Sequence, residues 1–425
     1  MGTILNPSGD NSFIRLFNAR NTNQFVDKTD FIRATNSFVN SPHSKFVAMT
    51  RGRGFGKTVM ADMLCAYYSR GYRDRRIFQE LKISEVKASG DKVFDGKEKS
   101  DGLENLNRFD VIRVDMKAIE AVHEECRRRG DRPDEADNLV RFMKCAVVRD
   151  LRSDERFAPI LEEERVVDGC LLNAVSTLHQ RLGVQFIFIM DDWDLIYRHY
   201  RDDIRLQQEF IGTLRGLFKS NVGSASFALA FLTGILPMVK EDSESGLNNI
   251  REINMLNPRK YGKYFGFTEE ELPEIASGPC RRAGLEELRR WYGSYSAWGA
   301  RFYNPRSIVS ALEGGCGEYW DEASIRSEAA RALAMHLPEV REDMERLLKG
   351  ERIVFNDGLF RGDLNSIRSR NNVFALLVCL GYLSCDYAEN ARRIACIPNL
   401  EAGIALERAW DLARRTEARN TAEPS

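Results

Sequence analysis

The sequence predicts an α/β protein in which a parallel sheet is covered by helices. Short segments rich in Val, Ile and Phe recur along the first half of the chain without alternating polar residues, which is typical of strands buried on both faces. Longer segments with apolar residues at helical spacing separate them. After about residue 254 the sequence changes to short helical segments with many aromatic residues, which predicts a second, mainly helical domain.

Length, charge and the terminal sequence narrow the class of protein. The 425 residues correspond to about two to three domains of roughly 150 residues. Because 62 basic residues face 63 acidic ones, whole-chain charge gives no reason to expect binding to nucleic acid or to a membrane. The longest apolar stretch, 227–239, is too short and too interrupted to span a bilayer, and residues 1–12 lack the features of a signal peptide. With nine cysteines and no CxxC pair, we expect a cytoplasmic protein with free thiols and no zinc site.

Helical segments separate the strands of the predicted sheet. The predicted strands are 45–50, 109–116, 184–191 and 225–233. The predicted crossover helices are 58–70, 135–152, 166–182 and 203–219. The charged, glycine-containing segment 87–107 is expected to be an exposed insertion or a mobile loop.

The first strand leads directly into a glycine-rich segment and then into a helix, which is the order of a phosphate-binding loop. Its glycines let the backbone curl with N–H groups inward, and the helix N-terminus adds a positive dipole end. Lys57 is then expected to reach the β- and γ-phosphates and Thr58 to bind Mg²⁺. The candidate nucleotide-binding residues are Arg51, Gly52, Arg53, Gly54, Phe55, Gly56, Lys57 and Thr58. Because Arg51 replaces the first glycine of GxxxxGK[ST], an ordinary glycine-rich turn is the alternative.

A second candidate element is the apolar strand 184–190, which ends in Asp191-Asp192-Trp193-Asp194. We expect Asp191 to hold Mg²⁺, directly or through water, and Asp192 to be the catalytic residue that polarises the attacking water. Alone, this pattern is also that of solvated carboxylates at a strand end, but its combination with the glycine-rich loop favours nucleotide binding. Asp194 is interpreted as a helix cap. Thr233, at the end of the next strand, is either a γ-phosphate sensor or a turn residue.

Nine segments in order resemble the bacterial AAA-ATPase-like family over roughly residues 13–405. They are Phe25-Val-Asp-Lys-Thr29, the loop with Arg51, the acidic strand, Phe231-Leu-Thr-Gly234, Ser245-Gly-Leu-Asn-Asn249, Gly266-Phe-Thr-Glu-Glu-Glu-Leu272, Trp291-Tyr-Gly-Ser-Tyr295, Tyr303-Asn-Pro-Arg-Ser307 and Ile397-Pro-Asn399. The family is similar in having Arg at the position of Arg51. The resemblance implies a P-loop NTPase core of the ASCE type, with the acidic strand between two neighbours, followed by a helical region.

The chain departs from the family pattern at two points. Members usually have Asp-Glu-Tyr-Asp where this chain has Asp191-Asp-Trp-Asp194, so the water-activating side chain is one methylene shorter. Because a displacement of about 1 Å can cost about 10²-fold in rate, we expect slow hydrolysis. The nuclease-like domain that often ends such proteins is not expected after Asn399, and we therefore expect no nucleic-acid cleavage by this chain.

These expectations define domains and a function. Residues 1–250 are predicted to form the P-loop ATPase-like α/β domain, 251–415 a helical lid or C-terminal domain, and 416–425 a frayed tail. The predicted function is an ATP- and Mg²⁺-binding, slowly hydrolysing switch that couples nucleotide state to movement of the helical domain and acts on an unidentified protein partner. The alternative is a nucleotide-stabilised, protein-binding scaffold that does not hydrolyse. A nucleic-acid partner would rest on the family resemblance alone.

Two further segments leave alternatives open. Residues 25–29 either contact adenine or cap a helix through Asp27 or Thr29. The aromatic cluster 291–295, together with Trp298, packs in the core, stacks on bases or forms a partner surface.

Overall fold

The computed structural model describes most of the chain. The described residues are 4–7, 11–20, 25–72, 76–85, 102–130, 138–238, 247–277, 282–293, 295–297, 300–320, 323–358, 360, 362, 364–387 and 392–422. Most of the insertion predicted at 87–107 lies outside them. No helix within these ranges is long and apolar enough to cross a membrane.

The α-helices and β-strands alternate along the first half of the chain. The helices are α1 (Ser12–Asn18), α2 (Asp30–Asn36), α3 (Lys57–Tyr68), α4 (Arg76–Gln79), α5 (Met116–Arg129), α6 (Leu139–Arg152), α7 (Ala158–Glu163), α8 (Leu171–Leu182), α9 (Leu195–His199), α10 (Ile204–Phe218), α11 (Asn221–Ala225), α12 (Leu272–Ile275), α13 (Leu285–Tyr292), α14 (Pro305–Gly314), α15 (Ala323–Met335), α16 (Leu337–Leu348), α17 (Arg370–Leu380) and α18 (Leu400–Ala422). The strands are β1 (Phe46–Thr50), β2 (Asp110–Asp115), β3 (Phe186–Asp191), β4 (Phe227–Gly234), β5 (Arg251–Ile253), β6 (Phe267–Thr268), β7 (Tyr295–Ala297), β8 (Ala300–Tyr303), β9 (Ile353–Phe355), β10 (Ser384–Tyr387) and β11 (Arg393–Cys396).

Strands β1–β5 form one parallel sheet in the order β2-β3-β4-β1-β5. This confirms the predicted α/β fold, and β3 lies between two neighbours as the family resemblance implied. The strand that precedes the glycine-rich loop and the acidic strand flank β4, so their carboxyl ends meet at one edge of the sheet. In the register of the sheet, Thr233 lies beside both Met49 and Asp191.

Helices cover the sheet on both faces. Successive side chains of a strand point to opposite sides, so alternate residues pack against different helices. On one face Ala48 and Phe188 pack with helices α6, α8 and α10. On the other, Val47 and Ile187 pack with α1, α2 and α3. All residues of β1, β3 and β4 are buried, which explains why these strands appear in the sequence as continuous apolar runs.

Two helix predictions differ from the structure. The helix predicted over 166–182 begins only at Leu171, and the preceding residues form a turn in which Arg165 has a left-handed backbone (φ 51°). The apolar residues before Leu171 were therefore misassigned to the helix, since Val166 is buried without being helical. Helix α5 was not among the predicted crossovers, although its Asp115 N-cap and Gly130 C-cap are standard helix signals.

The region after β5 is mainly helical, as predicted, with two small antiparallel sheets, β6-β8-β7 and β10-β11-β9. The elements α16, β9, α17, β10 and β11 follow one another along the chain, and β11 lies at the centre of their three-stranded sheet. Residues 372–380 of α17 are all buried, and the helix ends against the glycine-rich loop.

Helix α18 continues through residues 416–422, where the sequence predicted a frayed tail. Ala402, Leu406, Ala409 and Ala413 form a buried stripe at helical spacing in the same core as α15 and α17. Because helix formation is cooperative, a helix anchored along this stripe extends into the polar residues that follow.

Candidate nucleotide-binding site

The glycine-rich loop connects the end of β1 to the start of α3. Gly54 and Gly56 have φ values of +82° and +78°, a region that L-residues with side chains adopt at a cost. Gly56 is the N-cap residue of α3, so the loop ends at the positive end of a 12-residue helix. The N–H of Arg51 donates to the carbonyl of Gly234 (3.0 Å), which fixes the start of the loop to β4.

Lys57 is buried in this loop. Its ammonium donates to the carbonyl oxygens of Arg51 and Gly52, both at 3.0 Å. Burial lowers the pKa of Lys57 to about 8, although the carboxylates of Asp192 and Asp191 act in the opposite direction. The lysine is thus a desolvated cation whose hydrogen-bond partners are neutral carbonyls, which suits it to bind an anion.

The side chain of Arg51 points out of the loop. Its guanidinium lies over the rings of Phe265 and Phe302, 5.9 and 5.3 Å from the ring centroids, and Nη1 donates to the sulfur of Met255 (3.2 Å). Complete burial lowers the pKa of Arg51 to about 10. Arg51 was predicted to bind nucleotide, but only its backbone forms part of the loop.

Other loop residues also contact the region after β5. The side-chain amide of Asn304 donates to the carbonyl of Arg53 (2.9 Å), and a Cβ at Gly54 would overlap with that amide. The backbone of Gly52 lies against Gly381, where a Cβ would come within 3.3 Å of the Gly381 Cα.

The aromatic ring of Phe55 completes these contacts. It packs edge-on against Tyr295 (5.1 Å between centroids), and the Tyr295 hydroxyl donates to the carbonyl of Gly381 (2.7 Å). We call Tyr295, Asn304 and Gly381 the loop clamp. Since Tyr295 and Phe55 belong to one buried cluster, the core alternative for this part of the 291–295 segment is the one the packing favours.

The two residues predicted to hold Mg²⁺ are close together. The Thr58 side chain lies close enough to the Asp191 carboxylate to favour its ionised form, and Arg113 lies 3.4 Å from the same carboxylate. Burial raises the pKa of Asp191, against the opposing charge of Arg113. Within the described residues no cluster of three His, Cys, Asp or Glu side chains could enclose a metal. A hydroxyl and one carboxylate nevertheless fit Mg²⁺, which takes most of its ligands from water and phosphate at such sites.

Asp192 is held by two cations. Its backbone is left-handed (φ 53°), and its carboxylate lies 2.9 Å from the Lys117 ammonium and 3.6 Å from the Arg198 guanidinium. Burial opposes ionisation, but Lys117 and Lys57 hold the pKa of Asp192 below its usual value. The residue predicted to polarise water is therefore ionised and directed at Lys117, a residue that the sequence analysis missed.

Thr233 and Thr50 place buried hydroxyls at the same edge of the sheet. Both side chains are at most 1% exposed, and neither hydroxyl has a hydrogen-bond partner among the described residues. Buried hydroxyls normally have partners, so this edge has hydrogen-bonding capacity for water or for a ligand oxygen. Thr233 lies where a γ-phosphate sensor was predicted, and that role stays a prediction.

Asp194 occupies the N-cap position of α9, but the predicted side-chain capping bond is absent. Its carboxylate instead accepts hydrogen bonds from the N–H groups of Ile235 and Leu236 (3.2 and 2.9 Å) and from Arg198 Nε (2.8 Å). Because β3 and β4 are neighbouring strands, the backbone after β4 lies next to Asp194. Its N–H groups donate to the carboxylate in place of the N–H groups in the first turn of α9. Asp194 thus joins the two strand ends.

An apolar cavity of about 320 Å³ opens beside the loop. Aromatic, aliphatic and glycine residues make up most of its wall, including Phe13, Phe25, Val26, Gly54, Gly56, Met60, Tyr264, Phe267 and Val309. Phe25 and Val26 belong to the segment for which adenine contact was one alternative. The other alternative was a cap by Asp27 or Thr29. The Thr29 side chain forms no capping bond to α2, whereas the Asp27 carboxylate accepts from the N–H of Thr29 (2.8 Å), at the start of that helix. An apolar pocket next to a phosphate-binding loop has the shape and chemistry to take a flat heterocycle.

The fold and the glycine-rich loop together define a P-loop protein of the AAA-like ATPase class. A model of the AAA-ATPase-like family, described as "Predicted AAA-ATPase", matches residues 7–243, more than half of the chain. The protein therefore belongs to this family, which confirms the resemblance seen in the sequence.

The solved structures that match the chain are distant from it. Cdc6p from Pyrobaculum aerophilum shares 11% identity over 92% of this chain and 93% of its own, with a TM-score of 0.28. The ORC2 protein of Aeropyrum pernix, in ADPNP and ADP complexes, shares 11% identity over 96% and 100%, with a TM-score of 0.33. Similarity at this level says nothing about function. No curated protein matches the chain.

The lowered pKa of Lys57 predicts a pH-dependent affinity for nucleotide. Because phosphate is bound by the protonated amine, and because the pKa lies near 8 rather than above 10, the charge is lost between pH 7 and pH 9. Binding of ADP in EDTA, measured by calorimetry, should weaken about tenfold over that interval. Lys57→Arg keeps its charge and should show a flat profile, whereas a flat profile in the parent would contradict the assignment.

The contact between Thr58 and Asp191 predicts a metal-specific defect. Thr58→Ala should weaken nucleotide binding in Mg²⁺ by about 2- to 10-fold, the value of one hydrogen bond or ligand contact, and should leave binding in EDTA unchanged. Thr58→Ser retains the hydroxyl and serves as the control. Equal losses with and without Mg²⁺ would remove Thr58 from the metal site.

Proposed function

We propose that this protein is an ATP-binding, slowly hydrolysing switch in which the nucleotide state is coupled to the region after β5. The observation that carries the proposal is the loop clamp: Gly52, Arg53 and Phe55 are in contact with Gly381, Asn304 and Tyr295 respectively. A phosphate loop held in this way cannot move without disturbing residues more than 200 positions away in the sequence.

In this proposal different groups of the chain bind different parts of the nucleotide. The loop N–H groups and Lys57 bind the β- and γ-phosphates, and the apolar cavity takes the base. Thr58 and Asp191 would hold Mg²⁺, and that ion would supply positive charge beside the phosphates during phosphoryl transfer. Asp192 orients the attacking water and accepts its proton.

Binding would act on the clamp through Lys57. In the structure its ammonium donates to the carbonyls of Arg51 and Gly52, and phosphate oxygens would compete for the same donors. Loss of those bonds frees the first half of the loop, which lies against Gly381. The displacement is passed to α17, whose last residues and C-cap contact the loop, and from there to the helices that pack on α17.

A second candidate function is the scaffold that binds nucleotide without turnover. The specific observation in its favour is the ion pair of Asp192 with Lys117 and its proximity to Arg198. A carboxylate engaged by two cations is a weak base, because protonation would break both interactions.

Turnover by an Asp192 variant separates the two functions. Asp192→Asn should bind ATP as the parent does but lose about 100-fold or more of its turnover, because an amide cannot accept the proton. Phosphate release and ATP affinity are measured on the same preparations. A parent that binds ATP and shows no release supports the scaffold, whereas unchanged turnover in Asp192→Asn places water activation on another residue.

The clamp itself is tested at Asn304, whose side chain makes two separable contacts. Its Oδ1 caps α14 by accepting from the N–H of Arg306 (3.0 Å), and its amide group donates to Arg53. Asn304→Ser keeps a good N-cap residue but cannot reach Arg53. It should weaken ATP affinity by about 2- to 10-fold and reduce the ATP-induced change in hydrogen exchange of α17, with little change in melting temperature.

Asn304→Ala, which also loses the cap, is the comparison variant and should in addition melt earlier, by an amount equivalent to about 1 kcal/mol. If ATP changes hydrogen exchange in α17 of Asn304→Ser as it does in the parent, the loop is not coupled to this region through Asn304.

A further inference from the structure

We propose that Lys117 is a second phosphate-binding cation that recognises the γ-phosphate and so makes the site prefer a nucleoside triphosphate to a diphosphate. This inference rests on the proposed function of the site, which it deepens. Lys117 lies in neither of the two sequence elements from which the site was predicted. Lys117 lies at the site because β2, the strand that precedes it, is a neighbour of β3 in the sheet.

The position of Lys117 follows from the end of β2. Strand β2 pairs in parallel with β3 so that Asp115 lies beside Asp191, and α5 begins directly after it. The Asp115 carboxylate caps this helix by accepting from the N–H of Ala118 (3.0 Å). The first turn of α5 is therefore fixed at the same sheet edge as the acidic residues, and the Lys117 ammonium lies 2.9 Å from Asp192.

Lys117 and Lys57 act on the same carboxylate from different elements. Both cations favour the ionised form of Asp192, and the charge of Lys117 also bears on Lys57. Lys57 belongs to the loop after β1, which is proposed to bind the β-phosphate. Lys117 follows β2, on the opposite side of β3 from that loop, and contacts Asp192, the residue proposed to orient the attacking water. The terminal phosphate of a triphosphate would lie between these two cations, and a diphosphate would not reach Lys117.

Lys117 also has the freedom to change partners, unlike the second cation at Asp192. The Arg198 side chain is 3% exposed and is held by Asp194 at 2.8 Å. The Lys117 side chain is 49% exposed and carries a compact charge on a flexible stem. A γ-phosphate, with more negative charge than one carboxylate, would draw Lys117 away and leave Asp192 free to bind water.

The test compares affinities for two ligands and does not depend on turnover. Calorimetry gives the dissociation constants of ADP and of a non-hydrolysable ATP analogue, both with Mg²⁺, for the parent, Lys117→Met and Lys117→Arg. Lys117→Met should lose about 10- to 100-fold in affinity for the analogue, the usual effect of losing a charge-assisted contact. Its ADP affinity should stay within about twofold of the parent, and Lys117→Arg should recover part of the loss.

Arg128→Met is the matched control, because it removes one positive charge from the exposed C-terminal end of the same helix. It should change neither constant. If Lys117→Met weakens ADP and the analogue equally, Lys117 contributes only general charge and the proposal is overturned. It is also overturned if neither constant changes, or if the analogue binds more tightly, since Lys117 would then merely pair with Asp192 or obstruct the site.

Lys57→Ala distinguishes this failure from failure of the proposed function. If Lys57→Ala weakens both ligands while Lys117→Met weakens neither, the nucleotide site stands and only the assignment of Lys117 falls. If Lys57→Ala binds both ligands as the parent does, the phosphate-loop function and the inference built on it fall together.

Discussion

The glycine-rich loop is held from two sides, and much of the candidate site depends on that constraint. On one side, the N–H of Arg51 donates to the carbonyl of Gly234 at the end of β4. On the other side, Phe55 packs in the buried cluster of the C-terminal region. The side chain of Arg51 adds to the second attachment, since its buried guanidinium lies over aromatic rings with no carboxylate in the described residues bonded to it. Burying a cation without a carboxylate partner costs free energy unless the groups around it are fixed. The loop and the C-terminal residues that pack on it are therefore expected to fold as one unit.

This constraint gives a physical meaning to the departure from the GxxxxGK[ST] pattern. A first glycine would leave the outer side of the loop bare, whereas Arg51 supplies a long side chain that fills the space among Met255, Phe265 and Phe302. The later glycines serve a different purpose. Gly54 combines a left-handed backbone with close contact to Asn304, so neither its conformation nor its surroundings admit a side chain.

Features that depend on a local residue pattern could be predicted from the sequence. Features that depend on contacts between distant segments could not. The buried strands and the glycine-rich turn have their own patterns, and parallel topology then brings Thr58 to Asp191. In contrast, nothing near Lys117 in the sequence indicates a site, and the family-like segment 303–307 gives no sign that Asn304 contacts the glycine-rich loop. Both contacts depend on how β2 and α14 are placed by the fold. The direction of the Arg51 side chain was equally inaccessible, since an arginine in a phosphate loop could point to either side.

Most of the charges around the acidic strand are arranged as ion pairs, whereas the ammonium of Lys57 donates to backbone carbonyls. The cations are Lys57, Arg113, Lys117 and Arg198, and the carboxylates linked to them by ion pairs or by their electrostatic influence are Asp62, Asp191, Asp192, Asp194 and Glu328. Glu328 comes from α15, and burial raises its pKa to about 7 against the charge of Arg198. A polyanion entering this network must exchange partners with carboxylates already in place. Because one of those carboxylates belongs to a helix of the C-terminal region, the switch that we propose would reach that region through charge as well as through the loop clamp.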